Sequence, residues 1–565
     1  MTAADAPRSD GGDGGHHGMN HSSSSSSDSK DVKVSIIPES SSAEAKSAFS
    51  QPRRMPLRVA VIGAGPSGIV ALKELKEMGF STVLFDAAER IGGAFATAYE
   101  GAQLTTSSSL TAFGDFPPNP PNMVAKPTMW TCEEYVEYLN DYIDHFRLRG
   151  CIELKSRVVS YKKSENEALW ELVVCKENTN TSTSYFDRVV IATGSNQNPN
   201  IPQDLLDKAR QGDFTGDIVH SSSISSMRSL ARGRRVLIVG LGETGSDLAL
   251  QAAEGLATGE VPFVGISSRK GPGHTIPRLL GDVPADLMTS RAFHQIPDPN
   301  TAKSMWRELY ERGVPMIKAA GMDATWMEFN LENENFPCCR FGVKNSAWLD
   351  ALDAGAATFG GIEKIDGDVV TFDDGAVARV DLIVAATGFK PFDDAGVRNV
   401  RAELWRGVLR AAAADDMSLA YVGFARAAFG GVPPVAELQA RWLASLWAGE
   451  VDPPTREQME EEMQRAQREA GLRYPLDASR ITTLVEYRQA LDVWGASLGA
   501  LPPLGWTTAL RRPQLWRALW FGPLCAAQYR CGDAAVAARL ERQKLHPFIT
   551  APVRAWLYWR VIRKT

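Results

Sequence analysis

A chain of 565 residues that is 44% hydrophobic is long enough for roughly two to four domains with large buried cores. Its 61 Lys and Arg nearly balance 67 Asp and Glu, which argues against nucleic-acid binding, and no run approaches the ~18 consecutive apolar residues of a membrane span. The seven cysteines are scattered, with neither a disulfide framework nor a CxxC metal or redox pair, a usage that suits a reducing cytoplasm.

Residues 1–56 are rich in Ser, Gly, Asp and Ala and cannot bury enough apolar surface to offset their ordering entropy, so a disordered tail is expected there. It lacks the apolar region of a secretory signal. The stretch RVAVIGAGPSGIVALKELKEMGFSTVLFD (Arg58–Asp86) then reads as buried strand, glycine turn, helix and second strand. Gly63 permits the turn, Gly65 lets backbone N–H groups approach a pyrophosphate, and Gly68 brings helix onto strand, with Pro66 and Ser67 opening the helix. Asp86 ends the second strand where a carboxylate accepts hydrogen bonds from a ribose without a 2′-phosphate, which fits FAD or NAD and not NADP. Gly92 and Gly93 follow, then LTTSSSL and FGDFP (Phe113–Pro117). The spacing of Tyr135, Leu139, Tyr142 and Phe146 predicts a helix.

DRVVIATG (Asp187–Gly194) is a buried strand ending in a tight turn, and FTGDIVH (Phe214–His220) comes soon after. A second unit opens at Arg235, RVLIVGLGETGSDLALQAA, with Gly240, Gly242 and Gly245 in the spacing of the first and with Glu243 and Thr244 between them. The strand after it ends in Ser268, Arg269 and Lys270. Two cations and a hydroxyl suit an adenosine 2′-phosphate; the plainer reading is a solvated turn. The first unit is therefore assigned FAD and the second NADPH. Residues 271–345 interrupt the second unit as a plausible cap over a substrate pocket, with a helix near Met305–Ala320. Arg278, Arg291 and His274 are its candidates for holding an anionic substrate. VDLIVAATGF (Val380–Phe389) is a second strand ending in ATG, and a helix is expected from near Pro434, with Gln439 facing the cofactor and Arg441 the substrate; a plain i,i+4 pair of Glu437 with Arg441 is the alternative.

GAGPSG, ERIGGAF, FGDFP, FTGDIVH, the second glycine turn, ATGF and ELQARW (Glu437–Trp442), taken together, resemble the flavin-containing monooxygenases, in which the third motif usually reads FSDFP. The resemblance implies an α/β fold of two Rossmann-like dinucleotide-binding domains, FAD and NADPH, with a helical C-terminal extension. The expected boundaries are 57–230 for the first part of the FAD domain, 231–380 for the NADPH domain, 381–450 for the second part of the FAD domain and 451–565 for the extension. It further implies that NADPH reduces FAD, that the reduced flavin captures O2 as a hydroperoxide, and that one oxygen passes to a nucleophilic atom of a small molecule, with no metal. His220 is then placed near the interdomain hinge beside the nicotinamide nucleotide; a core histidine bonded to backbone is the other reading. Many relatives carry a flavin-side asparagine before FSDFP, and here Thr105 or Thr106 takes that position. The sharpest expectation is the amino-acid N-hydroxylating branch, which converts aspartate through N-hydroxyaspartate to nitrosuccinate. Alternatives are Baeyer–Villiger or S-oxygenation, or a flavin redox or sensor role without oxygenation. A homo-oligomer is left open, and the Trp/Arg-rich end (Phe548–Thr565) is read as packing on its own protein rather than on a membrane surface.

Overall fold

The computed structural model describes residues 56–117, 128–164, 168–177, 179–269, 271, 273–295, 299–336, 342–394, 399–427, 430–473, 484–543 and 545. The serine-rich segment to residue 55, Lys270 and the Trp/Arg-rich end lie outside them.

The chain opens with β1 (Arg58–Ile62), α1 (Pro66–Glu77) and β2 (Ser81–Phe85). Four of the five β1 residues are buried, as a strand covered on both faces requires. Helix α2 (Cys132–His145) starts at a capping box in which Thr131 and Glu134 exchange side-chain and backbone hydrogen bonds, and it buries Tyr135, Leu139 and Tyr142. After β3 (Ile152–Glu153) comes an antiparallel meander of β4 (Ser156–Lys163), β5 (Trp170–Lys176) and β6 (Asn180–Phe186), and then β7 (Arg188–Ile191). The second unit contains β8 (Asp217–His220), β9 (Arg235–Val239), α3 (Glu243–Ala253) and β10 (Phe263–Ser267). The insert carries α4 (Pro299–Ala319) and α5 (Thr325–Glu332), and β11 (Ala357–Phe359) and β12 (Leu382–Ala385) follow. Strand β13 (Leu419–Tyr421) leads to α6 (Val432–Ala448), after which come α7 (Arg456–Arg473), α8 (Tyr487–Ser497), α9 (Pro513–Phe521) and α10 (Ala534–Glu541).

Two parallel five-stranded sheets result, in the orders β13-β7-β1-β2-β3 and β11-β10-β9-β12-β8. Their layouts correspond: in each, the strand before the glycine turn is central, flanked on one side by the next strand of its unit and on the other by the strand that ends in ATG. Ligands of such sheets bind beyond the carboxyl ends of the strands where the order reverses, which is where both glycine turns stand. The second sheet extends past the expected 231–380 limits at both ends. Each unit needs its own ATG strand to complete its sheet, so β12 pairs with β9 and with β8 before the chain returns. The return is a short antiparallel contact in which Pro199 bridges Phe389 and the Asn200 N–H donates to the Gly388 carbonyl. No helix among the described residues is long and apolar enough to cross a membrane.

Candidate active site

Within each glycine turn, packing accounts for two glycines and leaves the third facing space. Gly63 has φ +110°, and a Cβ there would lie 2.6 Å from the Ala192 carbonyl oxygen; one on Gly68 would lie 1.8 Å from that of Gly63. A Cβ on Gly65 would meet only the Gly93 Cα, at 3.8 Å. The second turn repeats this: Gly240 has φ +104°, and a Cβ there would lie 2.6 Å from the Ala386 oxygen, one on Gly245 would strike the Gly240 carbonyl, and nothing described lies within 4 Å of a Cβ on Gly242. Gly65 and Gly242 are also the N-caps of α1 and α3, and neither helix has a side-chain cap. Each turn therefore presents free backbone N–H groups and the positive end of a helix to an open cradle, which fits a dinucleotide pyrophosphate.

Around the first cradle, Asp86 accepts the Ala64 N–H at 2.5 Å and the Ala88 N–H at 2.7 Å, which sets its carboxylate at the lip of the turn. The Gly92 N–H donates to the Ala64 carbonyl, and Gly93, at φ +58°, lies against Gly65. Pro66 takes the first position of α1, where its missing N–H costs nothing. Ser67 abuts Gly423 so closely that a Cβ there would stand 2.0 Å from its hydroxyl. Gln439 is fully buried with both polar ends committed: its oxygen accepts the Gly423 N–H and its amide donates to the Arg406 carbonyl. Direct contact with cofactor, as expected from the sequence, gives way to positioning of the Gly423 backbone beside Ser67. At the second cradle, Glu243 and Thr244 form the first turn of α3. Ser268 closes a small turn onto the Gly271 carbonyl, and Arg269 stands exposed beyond β10.

The remaining candidates separate. Thr106 shares a hydrogen bond with Thr111 at 2.8 Å inside the core, leaving the half-buried Thr105 as the more accessible of the two. His220 lies at the hinge with both ring nitrogens engaged. Its Nε2 lies 2.8 Å from the Gly388 carbonyl and must donate to it, and Nδ1 accepts from Ser222. Its ring meets Phe389 edge-on. The anion-holding expectation fails for three residues of the insert. Arg278 makes a bidentate pair with Asp247 at 2.8 Å, and Arg291, 2% exposed, donates from Nη1 to both Asp492 oxygens and from Nη2 to the Tyr529 hydroxyl. His274 is buried against the Tyr310 hydroxyl, and desolvation drives its pKa down to about 3, so it carries no charge at neutral pH. Arg441 donates to the Tyr529 carbonyl, and the i,i+4 alternative fails because Glu437 pairs with Arg530 instead. Substituting Arg291 with Ala is accordingly expected to cost about 1–3 kcal/mol of stability, since Asp492 and Tyr529 lose the guanidinium while keeping each other and Arg488, with substrate KM changed by less than about twofold. Urea titration beside steady-state kinetics checks both.

Sequence reading missed a polar seam that runs from the Thr105–Thr106 loop to the second cradle. The Ser107 N–H donates to Asp286 at 2.6 Å, and the Lys344 N–H donates to Glu243 at 2.8 Å. Asn345 bonds the Glu243 carbonyl and Asp247, and Tyr99 reaches Asp247 from the first unit. The Lys344 charge acts on both Asp286 and Glu243. Desolvation lowers the lysine's pKa and raises those of the two carboxyls. Among the described residues one oxygen of Asp286 and one of Glu243 are buried without a hydrogen-bond partner. The only sequence signal for this seam was the placement of GDVPADLM in an insert.

Two dinucleotide cradles on paired parallel sheets, joined by a polar seam, define a flavin- and nicotinamide-dependent oxidoreductase. The chain belongs to the flavin-binding monooxygenase-like family, which matches residues 56–536, and its cofactors are FAD and NADPH. It is 30% identical over 494 residues to a 4-hydroxybenzoate brominase (decarboxylating) of Marinomonas mediterranea, covering 84% of this chain and 90% of that one. It is 26% identical over 495 residues to flavin-containing monooxygenase 5 of Oryctolagus cuniculus, covering 84% and 88%. The fold resembles that of S-allyl-L-cysteine S-oxygenase from Allium sativum, with a TM-score of 0.54 and 18% identity over 84% of this chain and 99% of the other. Membership makes O2 and a small molecule the reactants.

Proposed function

We propose that the enzyme N-hydroxylates the amine of a small acidic metabolite, in its sharpest form L-aspartate, giving N-hydroxyaspartate and then nitrosuccinate. Asp286 carries this reading. Oxygen transfer to nitrogen needs a free lone pair, yet an aliphatic amine arrives at neutral pH as ammonium. A carboxylate whose pKa burial has raised is well suited to take that proton, and Asp286 is one hydrogen bond from the loop that holds Thr105 and Thr106. Lys344 supplies the opposite charge for a substrate carboxylate. Sulfur and ketone substrates need no such acceptor.

FAD reduced by NADPH supplies the activated oxygen when both are bound. In this assignment the Gly65 turn with Asp86 holds FAD, and the Gly242 turn with Ser268, Arg269 and Lys270 holds NADPH. Thr105 offers a hydrogen bond on the flavin side, and the aromatic packing behind Phe113 and Tyr138 keeps water out of that loop.

The test is NADPH- and O2-dependent turnover of L-aspartate, S-allyl-L-cysteine, cyclohexanone and 4-hydroxybenzoate, with products identified by mass spectrometry. N-hydroxylated aspartate is expected, and exclusive turnover of the thioether or the ketone overturns the reading. Asp286→Asn is expected to slow amine turnover at least about tenfold at neutral pH, with recovery as rising pH frees the amine, while a thioether is unaffected. The resemblance to the brominase favours a second reading, oxidative halogenation of an aromatic acid. Absolute dependence on bromide would select it.

A further inference from the structure

Arg278, Arg291, Arg406 and Arg530 each face a carboxylate. Arg401 does not. It sits in the turn Val400–Glu403, and among the described residues its one hydrogen bond is a long contact, 3.4 Å, from a guanidinium N–H to the Ser195 hydroxyl. Within the described residues its Nε is buried without a partner, and so is the hydroxyl of Thr193 two residues before Ser195. Among the described residues no carboxylate lies within ion-pair distance of it, and the charge that acts on it most is a second cation, Arg426. Desolvation and then Arg426 lower its pKa to about 10, so it stays charged at neutral pH.

The position of this cation matters. Ser195 follows the ATG turn whose Ala192 carbonyl packs on Gly63, and Arg426 lies three residues after Gly423, which abuts Ser67. Both arginines therefore stand beyond the carboxyl ends of β7 and β13, on the ligand side of the first sheet. Holding the half-buried Arg401 guanidinium beside another cation, with no carboxylate of the described residues within ion-pair distance, is unfavourable until an anion joins it.

We propose that Arg401, with the charge of Arg426 beside it and the Ser195 hydroxyl at its edge, is an oxyanion subsite of the flavin-side crevice. Its ligand is a group with the fork geometry of a carboxylate or a phosphate. A carboxylate comes from the substrate and a phosphate from a cofactor. The carboxylate case deepens the acidic-substrate reading above by giving a substrate with two acid groups a second cation besides Lys344, but binding at the subsite needs no turnover.

Arg401→Gln and Arg401→Lys are made in the full chain and purified with FAD. Succinate, which carries the acid groups of aspartate without an amine, is titrated calorimetrically against wild type and both variants. FAD content is read from flavin absorbance, and NADPH KM is measured from oxidase turnover. If the ligand is the substrate carboxylate, succinate affinity falls at least tenfold in Arg401→Gln and less in Arg401→Lys, with FAD content and NADPH KM unchanged. If it is a cofactor phosphate, FAD content falls or NADPH KM rises at least tenfold, and succinate binding follows only the loss of cofactor. Variants that match wild type in all three overturn the subsite. Arg401-dependent succinate binding in an enzyme that does not hydroxylate aspartate would sustain the subsite and defeat the N-hydroxylation reading.

Discussion

Gly242→Ala is expected to leave melting temperature and flavin content at wild-type values while raising the KM for NADPH at least tenfold, a loss of about 1.4 kcal/mol in binding. Gly245→Ala, three residues on, is expected to lower the melting temperature and abolish reduction by NADPH. The two differ only in what the added methyl meets. At Gly242 a Cβ would meet no described atom within 4 Å, so the fold accepts it at the roughly 0.5–1 kcal/mol by which alanine is a poorer N-cap than glycine, little for a chain of this size, and the clash falls on the ligand. At Gly245 the methyl would lie 2.1 Å from the Gly240 carbonyl oxygen, a backbone atom that cannot swing aside, so α3 must move off β9. The helix propensity gained by replacing glycine, roughly 0.5–1 kcal/mol, is smaller than the 1–3 kcal/mol or more typical of overpacking. Gly65→Ala and Gly68→Ala should separate in the same way, read as FAD retention against stability. If Gly242→Ala unfolds the protein or leaves KM unchanged, the open cradle does not hold NADPH.

The glycine turns were legible because their requirement is largely local: strand, turn and the start of the helix are contiguous, and at Gly68 and Gly245 the carbonyl that excludes a side chain is itself in the motif. The arginines were not. Arg278 and Arg291 are satisfied by Asp247 and Asp492, 31 and 201 residues away, and no spacing rule ties those acids to them. The sequence offers Arg441 as a partner for Glu437 one helical turn on, yet tertiary packing supplies Arg530, 93 residues later, and turns Arg441 to the Tyr529 carbonyl. Asp286 reaches Ser107 across 179 residues, so the polar seam exists only once the insert has folded back. Arg401 was invisible for the opposite reason. What distinguishes it is that no carboxylate among the described residues pairs with it, which a sequence does not display.

Arg530→Met is expected to cost about 3–5 kcal/mol at neutral pH and to release FAD, since it removes one cation from a buried cluster of three carboxylates. The Arg530 guanidinium holds Glu437 at 2.6 Å, Glu74 at 2.5 Å and Asp115 at 3.2 Å; Lys73 holds Asp115 and Glu74 as well. These acids belong to α6, α1 and the FGDFP segment, so one side chain from the C-terminal region ties together three elements of the flavin unit. Arg530→Lys should rescue little, because an ammonium cannot present the fork that spans two carboxylates. The pH dependence follows from Asp115. Burial alone would raise its pKa, but Arg530 and Lys73 prevail and hold it below 3.8. Its contribution in the wild type is thus present above that value and lost as pH falls through the lower, folded-state pKa. Without Arg530, Asp115 and Glu74 take up protons at higher pH, so the deficit relative to wild type should be greatest at about pH 8 and should shrink by about pH 5. Urea unfolding at the two pH values measures the difference, and a deficit that stays constant between them would show that Arg530 acts through packing rather than charge.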